Sequence, residues 1–325
     1  MVDCMLRLAQ SSHDPSLLLE AQRALGTSLF YLGELRQGHR LLEQGIGLYD
    51  IHTHRSHAFR YGIDPGVYCL SHAACALWCL GYPEQALKNM QEALRLAHAL
   101  AHPHTLVFAL LIATYCSQFR YEATAVREHA EALLTLAAEQ GFAFRAMPAT
   151  ITRGWALAAA GQLEEGIGRM QEGLAEVWAT DTEVVAPYWL ALLAETYGKR
   201  GQAEEGLATL AEASAMVRRN GEQWYEAELY RLTRTLTLQS PVQCSTSQVE
   251  EAEACFLKAI EIARRQQAKS LELRAVMSVS RLWQRQGKRA EARELLSEIY
   301  GWFTEGFDTK DLQEAKVLLE ELSSL

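Results

Sequence analysis

Long segments with apolar residues at helical spacing alternate along this chain with short breaks that interrupt the pattern. Apolar residues three and four positions apart predict helices that bury one face, and a break between two such segments predicts a turn. In the middle of the chain the breaks fall at Gly81, Tyr121, Gly161 and Gly201, which are 40 residues apart each time. A fixed period with a helix on each side of the break predicts a helix-turn-helix repeat.

The same period extends outwards from the middle of the chain. It reaches Gly33 on one side and Ser247 and Gly287 on the other, with gaps of 48, 40, 40, 40, 46 and 40 residues. Two segments account for the longer gaps: residues 50–66, which end in the turn-forming sequence DPG, and the polar stretch 239–248, which contains a proline. Seven helix pairs are therefore predicted.

Small residues fix the register independently of the turns. Seven positions before the turn the side chain is small in six repeats: Gly26, Ala74, Thr114, Gly154, Ala194 and Ser280. Five positions after the turn the residues are Gly38, Ala86, Val126, Gly166, Gly206, Ala252 and Ala292. Most residues twelve positions after the turn are small as well. At such positions neighbouring helices approach closely, and larger side chains would hold the backbones apart.

These offsets resemble the tetratricopeptide (TPR) repeat, lengthened from about 34 to about 40 residues by longer helices. The chain also resembles the C-terminal repeat arm of bacterial signalling proteins, in which an ATPase module, often preceded by an adenylate/guanylate cyclase domain, is followed by TPR-like repeats. Segments such as "RGWALAAAGQLEEGI" and "IYGWFTEGFDTKDLQEAKVLLEEL" are typical of such arms. The likeness covers nearly the whole chain. The catalytic modules of those proteins are absent from it, so the resemblance implies no nucleotide chemistry for any residue here.

The register and the resemblance together predict an all-α chain. We expect a right-handed superhelix, or α-solenoid, of about seven TPR-like helix pairs with a period near 40 residues. In this layout residues 1–325 form a single domain. Residues 1–14 are a partial repeat helix and turn, residues 15–306 are the seven pairs, and residues 307–325 are a C-terminal capping helix.

The expected shape is an elongated array in which each repeat touches only its neighbours. The N-terminal segment carries Val2, Met5 and Leu6 on one helical side, with no preceding helix to cover them. An uncovered apolar end predicts contact with an upstream module or with a second copy of the chain. A homo-oligomer formed through the N-terminal end is therefore one expected assembly.

Composition narrows the classes of function. The net charge of -9 and the pI near 5.6 argue against a nucleic-acid partner, which requires a basic face. No stretch approaches 18 uninterrupted apolar residues, and the N-terminus lacks a signal-peptide pattern. Seven cysteines, an odd number, fit a reducing compartment better than a disulfide framework. The chain is expected to be cytoplasmic, without a membrane partner.

Sequence motifs for catalysis are missing. The chain lacks the phosphate-binding loop, H-E-x-x-H, G-x-S-x-G and C-x-x-C patterns. Three histidines between residues 52 and 57 fall in a predicted loop with no preset metal geometry. The cysteines and the histidine on one side of the 66–80 segment are interpreted as core residues. We therefore expect no enzyme activity, no cofactor and no metal.

The predicted partner-binding surface follows from the register, because the first helix of each pair lines the concave side of a TPR array. Those positions carry aromatic residues in the middle repeats and mostly basic residues toward the C-terminal end: Tyr68, Trp78, Phe108, Tyr115, Phe119, Trp155, Tyr188, Glu195, Lys199, Arg274, Arg281 and Arg285. Rings followed by cations suit an extended or helical peptide. The alternative is that the long helices let the inner side close on itself, which would make the rings core.

Two functions remain open from the sequence. One is a non-catalytic protein-interaction or sensory arm, the regulatory C-terminal part of an ATPase/cyclase-type signalling protein. The other is a free-standing scaffold that binds a peptide. An enzyme hidden in the helical fold is disfavoured, since no acid, base or nucleophile is assembled. Either of the first two functions implies a protein or peptide partner, and the first implies an ATPase/cyclase module.

Overall fold

The computed structural model describes residues 7, 9, 11, 14–180, 183–239 and 246–324, with the backbone alone for residues 246–250. The described part contains helices and no strand. The helices with defined bounds are α1 (Pro15–Tyr31), α2 (Leu35–Leu48), α3 (Ile51–His54), α4 (His57–Tyr61), α5 (Pro65–Leu80), α6 (Pro83–Leu100), α7 (Pro103–Phe119), α8 (Ala123–Gln140), α9 (Ala143–Ala159), α10 (Leu163–Trp178), α11 (Ala186–Lys199), α12 (Ala203–Asn220), α13 (Glu226–Thr237), α14 (Thr246–Gln266), α15 (Lys269–Arg285), α16 (Arg289–Tyr300) and α17 (Lys310–Ser323).

Consecutive helices pack side by side in seven pairs: α1 with α2, α5 with α6, α7 with α8, α9 with α10, α11 with α12, α13 with α14, and α15 with α16. This confirms the predicted all-α solenoid of TPR-like pairs. Six of the seven predicted turn positions have a positive φ, five at glycine and the sixth at Tyr121. The seventh position was wrong: Ser247 lies in the first turn of α14. The repeat period could not be extended across this loop, because its extra residues shift the register of the following pair.

The small residues of the register mark the closest approach of paired helices. A Cβ atom placed on Gly154 of α9 would lie 2.7 Å from the carbonyl oxygen of Gly166 on α10. A Cβ atom on Gly166 would lie 2.6 Å from the carbonyl oxygen of Gly154. Both distances are shorter than any ordinary carbon–oxygen contact, so even alanine would push the two backbones apart. The interpretation of these positions as close-approach sites is confirmed.

The expectation of an elongated array that touches only its neighbours was wrong. The seventh pair returns to the second and third pairs, where the Ser270 hydroxyl donates to the Trp78 carbonyl at 2.6 Å. The Glu305 carboxylate accepts from the backbone N–H groups of Glu84 and Gln85, at the start of α6. The first pair likewise meets the sixth, since the Gln223 N–H donates to the Tyr31 carbonyl at 2.8 Å. The inner side of the solenoid is therefore closed.

One segment differs from the sequence prediction, and another lies outside the described residues. Residues 51–61, expected to be a loop, contain the short helices α3 and α4, and the Asp50 side chain caps the start of α3 by accepting from the Thr53 N–H at 2.9 Å. His57 pairs with Glu20 of α1 across 2.9 Å. Val2, Met5 and Leu6 lie outside the described residues, so contact through the N-terminal end stays a prediction. Within the described residues, each helix is too short or too polar to cross a lipid bilayer.

Candidate functional site

The twelve residues predicted to form the inner surface fall into four groups. Four aromatic residues are fully enclosed in the core: Trp78, Phe119, Trp155 and Tyr188. Three others line a pocket: Tyr68, Phe108 and Tyr115. Four charged residues line a separate cleft: Glu195, Lys199, Arg274 and Arg281. Arg285 is exposed and belongs to the lining of neither.

The four enclosed rings hold the closed inner side together. Trp78 and Phe119 stack with ring centroids 4.4 Å apart, and Phe119 meets Tyr188 edge-on at 5.7 Å. The Tyr188 hydroxyl donates to the Gln118 side-chain oxygen at 2.8 Å. Trp155 and Tyr188 are at most 1% exposed. For these residues the structure corrects the partner-binding interpretation: no partner reaches them in this closed state, and they are core.

The aromatic pocket lies between the first helices of five pairs (α1, α5, α7, α9 and α11) and the residues Thr180, Val184 and Val185, which lie between α10 and α11. Its volume is about 230 Å³. Seven of the seventeen lining residues carry aromatic rings and most of the others are apolar: Tyr31, Ile63, Tyr68, His72, Phe108, Leu111, Ile112, Tyr115, Phe144, Arg145, Met147, Pro148, Val177, Thr180, Val184, Val185 and Trp189. We call this set the aromatic pocket. An apolar concavity of this kind, with few polar groups, is the usual form of a ligand site.

Stacked rings make one wall of the aromatic pocket rigid and uncharged. Tyr68 and Phe108 are nearly parallel, with centroids 4.8 Å apart, and His72 stacks on Tyr68 at 4.4 Å. The Tyr31 hydroxyl lies 3.5 Å from His72 Nε2. Burial lowers the pKa of His72 to about 4, so the imidazole is neutral at physiological pH.

Arg145 lies at the rim of the aromatic pocket, in the first turn of α9. Its Nε donates to His104 Nε2 at 3.3 Å, and its guanidinium carbon lies 5.7 Å from the centroid of the exposed Phe144 ring. No carboxylate of the described residues pairs with it, and burial lowers its pKa below the usual value. Sequence reasoning missed this residue, because the inner-surface offsets of a standard repeat do not reach the added helical turn in which it lies.

Two polar groups of the aromatic pocket, the Trp189 indole N–H and the Tyr115 hydroxyl, lie side by side. The indole N–H of Trp189 is buried and has no hydrogen-bond partner in the described part of the chain. The Tyr115 hydroxyl lies beside the indole nitrogen, without the geometry of a normal hydrogen bond. A buried donor without an acceptor is unfavourable unless water or a ligand satisfies it.

A buried carboxyl fixes one edge of the aromatic pocket. Glu222 accepts from the Val185 N–H at 3.0 Å and from the Trp224 indole N–H at 2.8 Å. Val185 has a positive φ of 71°, which is costly for a β-branched residue, and its contact with Glu222 helps to hold it. Burial raises the pKa of Glu222 to about 7.

The charged cleft has a different character, because acids face its cations. Arg274 is buried, and its Nε donates to Asp311 at 2.8 Å, while another nitrogen donates to the Phe119 carbonyl at 2.9 Å. Lys199 pairs with Glu195 at 3.0 Å, and Arg281 pairs with Glu314 at 3.0 Å. The bond from Arg274 to Phe119 joins α15 to α7 in the middle of the chain, whereas the three ion pairs lie within α11 or between α15 and α17. Arg274 therefore links distant repeats, and we call Arg274 with its partners Asp311 and Phe119 the clasp.

Fold and pocket together define the class: a TPR-like helical-repeat protein whose closed inner side leaves an aromatic pocket open at the rim. No protein-family model matches this chain, and no curated protein is similar to it in sequence. The fold is similar to that of the Rap conjugation gene regulator of the plasmid pLS20, solved in complex with the Phr* peptide. That similarity has a TM-score of 0.63 at 13% identity, over 97% of this chain and 79% of that one.

Two further solved structures cover nearly all of this chain with lower similarity. A signal transduction ATPase with numerous domains (STAND), which has a tetratricopeptide repeat sensor and comes from Pyrococcus horikoshii, gives a TM-score of 0.49 at 13% identity. The match covers 98% of this chain and 48% of that one. A tetratricopeptide repeat protein from Parabacteroides merdae gives a TM-score of 0.47 at 13% identity, over 94% and 99% of the two chains.

Proposed function

We propose that this chain is a non-catalytic binding module that takes a protein or peptide segment in the aromatic pocket. The observation that carries the proposal is a ring-lined concavity that opens beside Arg145, a cation with no acid partner among the described residues. Such a site favours an amphipathic segment, because the rings contribute area and the cation contributes orientation. The similar fold of a regulator solved with a bound peptide supports the same reading.

Of the inner surface predicted from the sequence, the proposal keeps three aromatic residues as the binding site and places most of the basic residues in the charged cleft. Tyr68, Phe108 and Tyr115 are wall residues of the aromatic pocket. Arg274 is paired with Asp311 in the clasp, while Lys199 and Arg281 are about half exposed at the rim of the charged cleft. Rim charges of this kind act mainly on association rate and salt response.

A finer assignment, as the regulatory arm of an ATPase/cyclase-type signalling protein in the cytoplasm, rests on the sequence resemblance. In that case the aromatic pocket is the sensory site and an ATPase module is the second partner. Copurification of the tagged chain with an ATPase domain encoded beside its gene tests this assignment. Absence of a complex, with the aromatic pocket still binding peptides, would favour the free-standing scaffold.

Peptide selection tests the pocket itself. A displayed peptide library is enriched on the parent chain, and affinities of the recovered peptides are measured by fluorescence anisotropy. Phe144, at the pocket rim, and Phe307, elsewhere on the surface, are 49% and 48% exposed, so the two form a matched pair. We expect Phe144→Ser to weaken binding about fivefold or more, the loss typical of an interface side chain worth 1 kcal/mol. Phe307→Ser should leave the affinity unchanged.

The outcome that would contradict the proposal is equally specific. If recovered peptides bind both variants and the parent chain equally well, and both variants melt like the parent, then the aromatic pocket is not the binding site. The exposed rim of the charged cleft would then be the next surface to test, through Lys199 and Arg281.

A further inference from the structure

We infer that the aromatic pocket selects one large apolar side chain together with a neighbouring carboxylate, which Arg145 binds at the pocket rim. This inference rests on the proposed function and specifies the chemistry of the ligand. It draws on Arg145, which has no acid partner among the described residues, and on the size and charge of the aromatic pocket.

Arg145 differs from three other partly or fully buried arginines of the described chain, whereas Arg153 on the same helix also lacks a carboxylate partner among the described residues. Arg120 pairs with Glu122 at 2.7 Å, Arg231 with Glu228 at 2.7 Å, and Arg274 with Asp311 at 2.8 Å. Arg145 contacts His104 Nε2 and an aromatic face instead. A guanidinium withdrawn from water without a carboxylate is unfavourable, and the planar fork of arginine matches a carboxylate well. A ligand carboxylate would complete the arrangement that the other three already have.

The charge around the aromatic pocket has one sign. Among the described lining residues Arg145 is the one that carries charge at physiological pH, since the others are apolar, aromatic, hydroxyl-bearing or the neutral His72. Glu222 lies behind Val185, with both oxygens already accepting hydrogen bonds. Within the part of the chain that the structure describes, an anionic group at the rim therefore meets a cation without a facing acid, whereas a ligand cation would be repelled.

The volume of the aromatic pocket fixes the size of the apolar group. An engineered cavity of about 150 Å³ in another protein binds benzene. A volume of about 230 Å³ therefore accommodates one phenyl or indole side chain. An aromatic residue and a nearby carboxylate are what a short peptide segment presents.

The carboxylate has two possible sources, the C-terminus of a chain and an acidic side chain. Four small probes separate them: acetyl-tryptophan, acetyl-tryptophanamide, acetyl-Trp-Glu-amide and acetyl-Trp-Gln-amide. Binding is measured by ligand-observed NMR titration against the full chain. We expect at least one acidic probe to bind about tenfold more tightly than its neutral counterpart, as for a hydrogen bond to a charged group. The acid that shows the difference identifies the source.

Variants of the protein assign that difference to Arg145. In Arg145→Met the acidic and neutral probes should bind equally, and in Arg145→Lys part of the difference should return because the cation is kept. Arg153→Met is the matched control, since Arg153 is also partly buried on α9 but lies outside the pocket lining. That control should keep the full difference.

Three outcomes would overturn the inference. They are equal binding of acidic and neutral probes, a difference that persists in Arg145→Met, and no binding of any probe. The proposed function is judged separately, by whether selected peptides respond to Phe144→Ser. If the chain binds selected peptides through Phe144 but binds acidic and neutral probes equally, the proposed function stands and this inference is wrong.

Discussion

At the residue scale, Tyr121 shows how the closed shape compensates for an unfavourable local conformation. It occupies a turn where five other repeats use glycine, and its φ of 60° is strained for a side chain with a Cβ atom. The ring lies near three cations, with the Lys310 nitrogen 4.7 Å and the Arg274 guanidinium carbon 4.9 Å from its centroid. Its hydroxyl donates to Glu195 at 3.4 Å. These contacts across the closed inner side explain why tyrosine occupies the turn.

Glu222 leads to a prediction about pH. Its pKa of about 7 lies above the usual value of 4.5, so the folded chain keeps the proton while the unfolded chain releases it. Between pH 4.5 and pH 7 the folded state therefore binds more protons, and its stability falls as the pH rises. We expect the loss to reach at most about 3 kcal/mol above pH 7.

Urea unfolding at several pH values checks this prediction by comparison with Glu222→Gln, which cannot ionise. The stability of the variant relative to the parent should improve as the pH rises from 5 to 8. Glu176→Gln, which changes an exposed carboxyl on α10, serves as the control. A difference between Glu222→Gln and the parent that stays constant over this range would show that Glu222 does not titrate there.

At the scale of the helix pair, two glycines of α10 should respond oppositely to the same substitution. In Gly166→Ala the added carbon would meet the Gly154 carbonyl oxygen at 2.6 Å, and overpacking of this kind typically costs about 1–3 kcal/mol. In Gly168→Ala the added carbon meets nothing within 4 Å. Alanine is favoured over glycine in a helix interior by about 1 kcal/mol, so that variant should be more stable.

Thermal and urea unfolding of both variants measure this contrast. Equal stability of Gly166→Ala and Gly168→Ala would mean that α9 and α10 are not in close contact at this point. The spacing of small residues in the sequence was enough to identify Gly166, because that requirement is set within one helix pair. The sequence did not show that Gly168 is free of contacts, because that depends on which face of α10 is turned outwards.

At the scale of the whole molecule, the clasp around Arg274 predicts how the closed shape is held. Arg274→Met would leave the buried Glu228 and the largely buried Asp311 with one cation fewer, and breaking such a buried pair typically costs about 3–5 kcal/mol. We expect a lower melting temperature and a larger radius of gyration in small-angle X-ray scattering, because the seventh pair separates from the second and third.

Arg281→Met is the matched control for the clasp. Arg281 and Glu314 are each 42% exposed, and an exposed pair of this kind is worth about 1 kcal/mol or less. That variant should stay compact. If Arg274→Met is as compact and as stable as Arg281→Met, the closure depends on the packing of rings such as Trp78 and Phe119 rather than on the ion pairs.

The sequence by itself determined the features that local chemistry sets. Glycine tolerates positive φ, so the turns at Gly33, Gly81, Gly161, Gly201 and Gly287 were readable from residue type and spacing. Small residues at fixed offsets revealed the contact within each pair. The repeat architecture follows from these two signals, since both act over fewer than 20 residues of chain.

The tertiary structure alone decided which inner-surface residues are accessible. Trp78 and Tyr188 share the sequence pattern of Tyr68 and Phe108, yet two of these lie in the closed core and two line the aromatic pocket. For Trp78 the distinction depends on the contact between α15 and α5, whose residues Ser270 and Trp78 are 192 positions apart. No periodic pattern encodes such a contact, because it depends on the summed curvature of the intervening pairs. That no described acid pairs with Arg145 is likewise a property of the folded chain, where distance decides which acids can reach it.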